Sequence, residues 1–226
     1  MLYAVAHPTA LVGLVVGFLA GVVVHGMAQA YAAKWLGDRA PVAFGRGKPD
    51  LRRHVDPFGA VAAAIGGVGW GSHAGADRRR MWRGRRLILV SIAGPLGNFA
   101  LAAIGFAGFV AAGGDSRVLG ELNLSNAVHG DYVFPADQLT PLLFAMENMA
   151  MGFLSFIPLP PLEGSALMFG YAPRTTGWQK AEYRLVEQNW GVGILLVLLV
   201  VPFSSRGPLL IVLLDAIIRP LLGAVT

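Results

Sequence analysis

A chain of 226 residues, 55% hydrophobic and 14% charged, with a mean hydropathy of +0.58, is too apolar for an ordinary soluble domain. The net charge of +5 does not call for nucleic acid, because the basic residues cluster beside apolar stretches as the positive-inside rule expects. The lack of cysteine excludes disulfides and thiolate metal sites.

The expected fold class is all-α: a polytopic helical membrane protein with about five spans and a short or re-entrant sixth element. Residues 1–226 are read as a single integral membrane domain. Met1 to Thr9 lacks the basic region of a cleaved signal, so residues 9–36 form a retained first span ending at Lys34-Trp35. Residues 37–86 are read as cytoplasmic. They hold a short apolar stretch, Phe58 to Gly75, rich in glycine and basic on both flanks. If that stretch crossed the bilayer, one basic flank would lie outside, so it is read as re-entrant or surface-lying. Six arginines fall between Arg78 and Arg86, and they fit anionic lipid headgroups.

Residues 87–112 form the next span. Residues 113–138, with four acidic residues and one Arg, form an extracytoplasmic loop. Residues 139–170 combine a span with a Pro-Pro-Leu-Glu-Gly segment, since the prolines end regular helix. An amphipathic helix is expected near Gln179 to Gln188. Residues 190–222 form two closing spans joined at Ser204-Ser205-Arg206. The N-terminus is expected outside and the C-terminus inside a bacterial cytoplasmic membrane. Two further polar features stand in apolar surroundings. Glu147 lies within a span, which marks a functional candidate by default. Asp215 and Arg219 are four apart and can pair along a helix.

The most informative pair is His25 and Gln29, four residues apart in the first span and therefore on one helical face. They belong to His25-Gly26-Met27-Ala28-Gln29. Three more segments follow in order: Arg52-Arg53-His54-Val55-Asp56-Pro57-Phe58-Gly59, Ala93-Gly94-Pro95-Leu96-Gly97-Asn98, and Ser155 through Pro158-Leu159-Pro160-Pro161-Leu162-Glu163-Gly164. Asn148 stands seven residues before Ser155. Together these resemble the site-2 protease family of intramembrane zinc metalloproteases, in its compact bacterial branch. The family's His-Glu-x-x-His binds zinc through two histidines and uses the glutamate as general base. A later Asp supplies the third ligand, and an Asn helps position substrate.

Placed on this chain, the resemblance leaves one intact ligand, His25. Gly26 stands where the base is expected, Gln29 where the second histidine is, Ser155 where the Asn is, and Glu163 where the Asp is. An amide oxygen is a poor zinc donor beside imidazole, and loss of a general base alone costs on the order of 100- to 10,000-fold. The scaffold positions Gly94, Pro95, Asn98, Pro158, Pro161 and Gly164 match. The expectation is therefore a pseudoprotease with no catalytic residues and no zinc. It would bind transmembrane helices of other membrane proteins, as a regulatory or accessory subunit, through a groove formed by His25, Gln29, Asn98, Asn148 and Glu163. The plain reading of His25 is an imidazole bonded to Gln29 or a neighbouring span. His54 is read as a structural hydrogen-bonding group. One alternative is an active zinc metalloprotease whose metal sits on His25, Gln29 and Glu163. The other is a small-ligand transporter or binder.

Overall fold

The computed structural model describes residues 1–72, 85–204 and 207–224. Most of the chain is helical. The long helices are α1 (Pro8–Trp35), α3 (Arg85–Ala111) and α4 (Ala136–Leu154). Shorter ones are α2 (Pro57–Gly66), α5 (Glu163–Tyr171), α6 (Trp190–Val200) and α7 (Leu209–Gly223).

Helices α1, α3 and α4 pack on one another and form the centre of the protein. The contacts are close because glycines line them. A Cβ on Gly13 or Gly17 would press on the backbone of α4 at Thr140 and Phe144, and one on Gly105 would press on Pro141 and Ala145. Small residues at helix crossings bring backbones together where burial of apolar surface from water cannot drive association. Leu14, Phe109, Leu142, Leu143 and Met146 fill the remaining space and are fully buried.

Among the described residues two helices, α1 with 28 residues and α3 with 27, are each long and apolar enough to cross a membrane. At 1.5 Å per residue they run about 40 Å. The expected count of about five spans is not confirmed, and counting the bent helical pair Thr176–Glu187 with Trp190–Val200 as one span brings the candidates to three. Helix α6 has 11 residues and α7 has 15, about 16 and 22 Å, short of the roughly 30 Å apolar thickness of a bilayer. Helix α6 follows the Thr176–Glu187 helical segment at a bend of 66°. Between α6 and α7 the chain makes a minimal antiparallel pair, Pro202–Ser204 with Gly207–Pro208. The turn residues Ser205 and Arg206 lie outside the described residues.

Asp215 and Arg219 do not pair. Asp215 Oδ1 instead accepts from the Leu124 backbone N–H at 2.7 Å, capping a turn in the loop read as extracytoplasmic. That contact joins α7 to the 116–129 region. An orphan N–H at a helix start wins the carboxylate.

The glycine-rich stretch begins with a ten-residue helix, α2, about 15 Å long and too short to span. Its start is written in the sequence. Asp56 accepts from Gly59 N at 2.8 Å and Pro57 takes the first helical position, which satisfies one orphan donor and removes another. Gly67, at φ +89°, ends it in a left-handed turn. The chain then folds back along α2. A Cβ on Gly59 would strike the Trp70 carbonyl, and one on Gly69 the Gly59 carbonyl. Val55 and Gly71 form an antiparallel bridge, and Arg46 clamps Ser72 through its carbonyl and hydroxyl, both at 2.9 Å. Residues 73–84 lie outside the described residues, and with them four of the six arginines proposed to meet lipid.

Candidate functional site: a closed polar centre between the helices

The expected site residues come together. His25 projects from the middle of α1 between α3 and the start of α5. Its Nδ1 lies 2.6 Å from Asn98 Oδ1, and its Nε2 lies 2.9 Å from Glu163 Oε1. Gln29, one turn further along α1, donates to the same Glu163 oxygen at 2.8 Å. Asn98 Nδ2 donates to Asn148 Oδ1 at 3.2 Å. Asn148 Nδ2 in turn donates to the carbonyls of Gly17 and Phe144 at 3.1 and 2.9 Å. Gln29, Asn98, Asn148 and Glu163 are buried.

The direction of this chain of bonds is forced. Backbone carbonyls only accept, so Asn148 must present its NH₂ to them and its oxygen to Asn98. Asn98 must then present its oxygen to His25, and His25 Nδ1 must carry a proton. Nε2 is left facing a carboxylate oxygen 2.9 Å away. One proton is shared between those two atoms, whichever of them holds it. An Asn that fixes the imidazole through Nδ1 leaves Nε2 free to do the chemistry, which is how metal-binding histidines are oriented. Here Nε2 meets a proton and a carboxylate.

Glycines make the approach possible. A Cβ on Gly94 would collide with the His25 ring, and one on Gly21 would meet Asn148, Met151 and Asn98. Gly94 and Asn98 are four apart on α3 and so face the same way. The Ala93-to-Asn98 segment thus supplies the His25 ring with both its seat and its hydrogen-bond partner. Gly164 does similar work for Glu163: its N–H bonds the Ser155 carbonyl at 2.8 Å, and a Cβ there would strike the Phe156 and Ile157 carbonyls. This tight return from α4 into α5 sets the Glu163 carboxylate opposite α1.

Of the two readings of His25, the bond to a neighbouring helix is the one found: its ring nitrogens meet Asn98 and Glu163 rather than Gln29. Gln29 converges on the same Glu163 oxygen, because side chains four apart on a helix run parallel and reach outward to a common acceptor. The Ser155 hydroxyl donates to the Met151 carbonyl at 2.8 Å. The cavity bordered by His25, Trp70, Ser155 and Glu163 has a volume of only about 10 Å³, the room of one water. The five residues expected to line a groove are hydrogen-bonded to one another.

The donor set does not fit a catalytic zinc ion. Such a site takes three protein ligands, mostly imidazole and carboxylate, with a fourth position open to water. This centre offers one imidazole, one carboxylate and one amide. The amide presents its NH₂ to the carboxylate, and the imidazole Nε2 is engaged by the same oxygen. Among the described residues no three His, Cys, Asp or Glu side chains stand close enough to share an ion.

His54 is the residue whose place sequence reasoning missed. It is fully buried, at 0% exposure, and its ring lies directly against Gly26: a Cβ on that glycine would fall inside contact distance of His54 Nδ1. The one available signal was a glycine in the first motif together with a histidine in the second.

Over 193 residues the chain is 29% identical to the Bacillus subtilis (strain 168) protein named "Putative zinc metalloprotease YwhC", a match covering 85% of this chain and 82% of that protein. This supports the likeness to the site-2 protease family carried by the four motifs. No family model and no solved structure matches the chain.

Proposed function

We propose that this chain is a non-catalytic, site-2-protease-like membrane protein that binds transmembrane segments of a partner as a regulatory or accessory subunit. The observation that carries the loss of catalysis is the closed circuit at His25. A shared proton and a carboxylate engage the nitrogen that would hold a metal, the amide of Gln29 bonds the same carboxylate, and the base position is glycine. Buried polar groups linked across helices hold a bundle together, so the network serves in place of an ion as the cross-link between α1, α3, α4 and α5.

The partner reading rests on what the outer surface offers. Val12 and Val16 of α1 and Leu89, Leu96, Ile104 and Val110 of α3 are exposed apolar side chains, suited to lipid or to another helix. Purification from native membranes with mild crosslinking tests this. A membrane protein recovered in constant ratio supports the proposal, and a chain recovered alone at every crosslinker concentration ends it.

The second reading, an active protease with an altered metal site, is favoured by one observation: His25, Gln29 and Glu163 still converge, and Asn98 still orients the imidazole. Metal analysis of the purified protein separates the two. Stoichiometric zinc that disappears in His25→Ala would overturn the non-catalytic reading.

A further inference from the structure

Helix α7 ends where a crossing helix would not. The chain reaches it through α6, which starts beyond the far end of α4 and climbs toward the loop between α3 and α4. A Cβ on Gly191 would press on the Pro160 carbonyl, and at the other end of α6 the Leu199 carbonyl lies against Gly66. Gly66 is at the level of that loop, since a Cβ on its neighbour Gly67 would strike Val128. From there α7 does not turn back. Its middle is fastened to the loop through Asp215, whose Oδ1 accepts from the Leu124 N–H at 2.7 Å. Its last residue meets the loop again, as a Cβ on Gly223 would stand 4.0 Å from Gly120 Cα. The whole helix therefore stays at the level of residues 113–138.

Its residues are sorted by face. Leu210, Ile211, Leu214, Ile218 and Leu222 are buried in the protein. Leu213, Ile217 and Leu221 are exposed and, at every fourth position, form one apolar edge. Asp215 and Arg219 come two residues after Leu213 and Ile217, about 200° around the helix, and so form the opposite edge. There they border a recess of about 780 Å³ with Asn123, Ser125 and Asn126. One apolar edge and one charged edge on a helix held at a single level is the pattern of a helix lying in a membrane interface. Arginine is expensive in hydrocarbon, and its long stem lets the charge reach the headgroups.

We infer that α7 lies in the membrane interface on the side of residues 113–138 instead of crossing, with Leu213, Ile217 and Leu221 among lipid acyl chains and Arg219 at the headgroup phosphates. The occupant of the exposed edge is lipid rather than a partner's transmembrane helix. Such a helix runs across the bilayer while α7 runs along it, so the two would meet over little more than one turn. Two consequences follow. The C-terminal residues stand on the same side as the start of α1, not on the opposite side as the charge pattern suggests. Through the Asp215 contact α7 also straps residues 116–129 to the membrane surface.

The chain has no cysteine, so single cysteines in the full chain each report one position. Val133, Gly177 and Ala224 are exposed. In spheroplasts Ala224→Cys should react with a membrane-impermeant maleimide as fully as Val133→Cys, in the loop, and unlike Gly177→Cys, beyond the far end of α4. Ala224→Cys behaving like Gly177→Cys would mean that α7 crosses, and would overturn the inference. Depth is the second measurement, on nitroxide labels at Leu213→Cys, Ile217→Cys and Leu221→Cys in phosphatidylcholine–phosphatidylglycerol vesicles. A crossing helix spreads these positions over about 12 Å of depth. An interfacial one keeps them within half of that, with oxygen reaching them better than a water-soluble nickel complex and the reverse at Arg219→Cys. A larger spread, or an edge closed to both reagents because protein covers it, overturns the inference. If one edge variant does not fold, the remaining pair gives the same comparison. Neither the fate of catalysis nor the identity of a partner enters these measurements.

Discussion

Glu147 and Asn148 are neighbours on α4, both polar, both buried in an apolar bundle, and they meet opposite fates. Asn148 makes three hydrogen bonds and anchors the circuit that ends at Glu163. Glu147 is at 0% exposure, and neither carboxylate oxygen has a hydrogen-bond partner. The difference is 100° of helical rotation. Asn148 faces the crossing where Gly17 and Gly21 let α1 approach with its carbonyl and where Asn98 arrives from α3. Glu147 presents its Cβ to Gly17 one step around, where its carboxylate makes no hydrogen bond and feels the Met1 ammonium only through space. A polar residue in a membrane helix is thus glue or burden according to what its neighbours bring, and residue type alone does not say which.

The comparison can be broken most sharply at the circuit. Asn98→Ala removes the acceptor of His25 Nδ1 and the donor to Asn148 Oδ1 together, so stability should fall by about 2 to 3 kcal/mol. Thermal unfolding in detergent would read this, and a loss under about 0.5 kcal/mol would mean the circuit does not form. Glu147→Met should act in the other direction. It replaces an unbonded carboxylate with an apolar side chain of similar length and should stabilise by about 1 to 2 kcal/mol; destabilisation would reveal a bonded, working carboxylate. Gln29→Leu should cost about 1 kcal/mol, because Glu163 Oε1 keeps its bond to His25. A cost as large as that of Asn98→Ala would show that Gln29, rather than Asn98, is the keystone.

The ordered motifs made the candidate site largely legible, because each encodes a local geometric need. Asp56-Pro57 starts a helix, Gly94 and Asn98 share a helical face, and Gly164 permits a tight return; these requirements are short in sequence and survive without knowledge of the rest. Helical spacing leaves His25 to bond either Gln29 or a neighbouring helix, and the choice of Glu163 as the shared acceptor depends on a residue 134 further along the chain from Gln29, which spacing cannot reach. The sequence reads His54 as a structural hydrogen-bonding group, and it does bond the Lys48 carbonyl, but its contact with Gly26 is made across a turn whose path depends on Arg46 and Ser72. The expected span count is not confirmed for a related reason. Apolar runs at 190–203 and 207–222 resemble spans in composition, but the bend before Trp190 and the hairpin at Pro202 divide them into short helices.

By itself the sequence determined that the chain is helical and apolar, which follows from composition and periodicity acting over a few residues at a time. Its likeness to four ordered motifs implied where a site would lie and which family residues differ there. Only the tertiary structure decided which groups share the proton at Glu163, that the space beside His25 is small, and that His54 lies against Gly26. Hydrogen-bond direction and excluded volume depend on atoms brought together from distant parts of the chain.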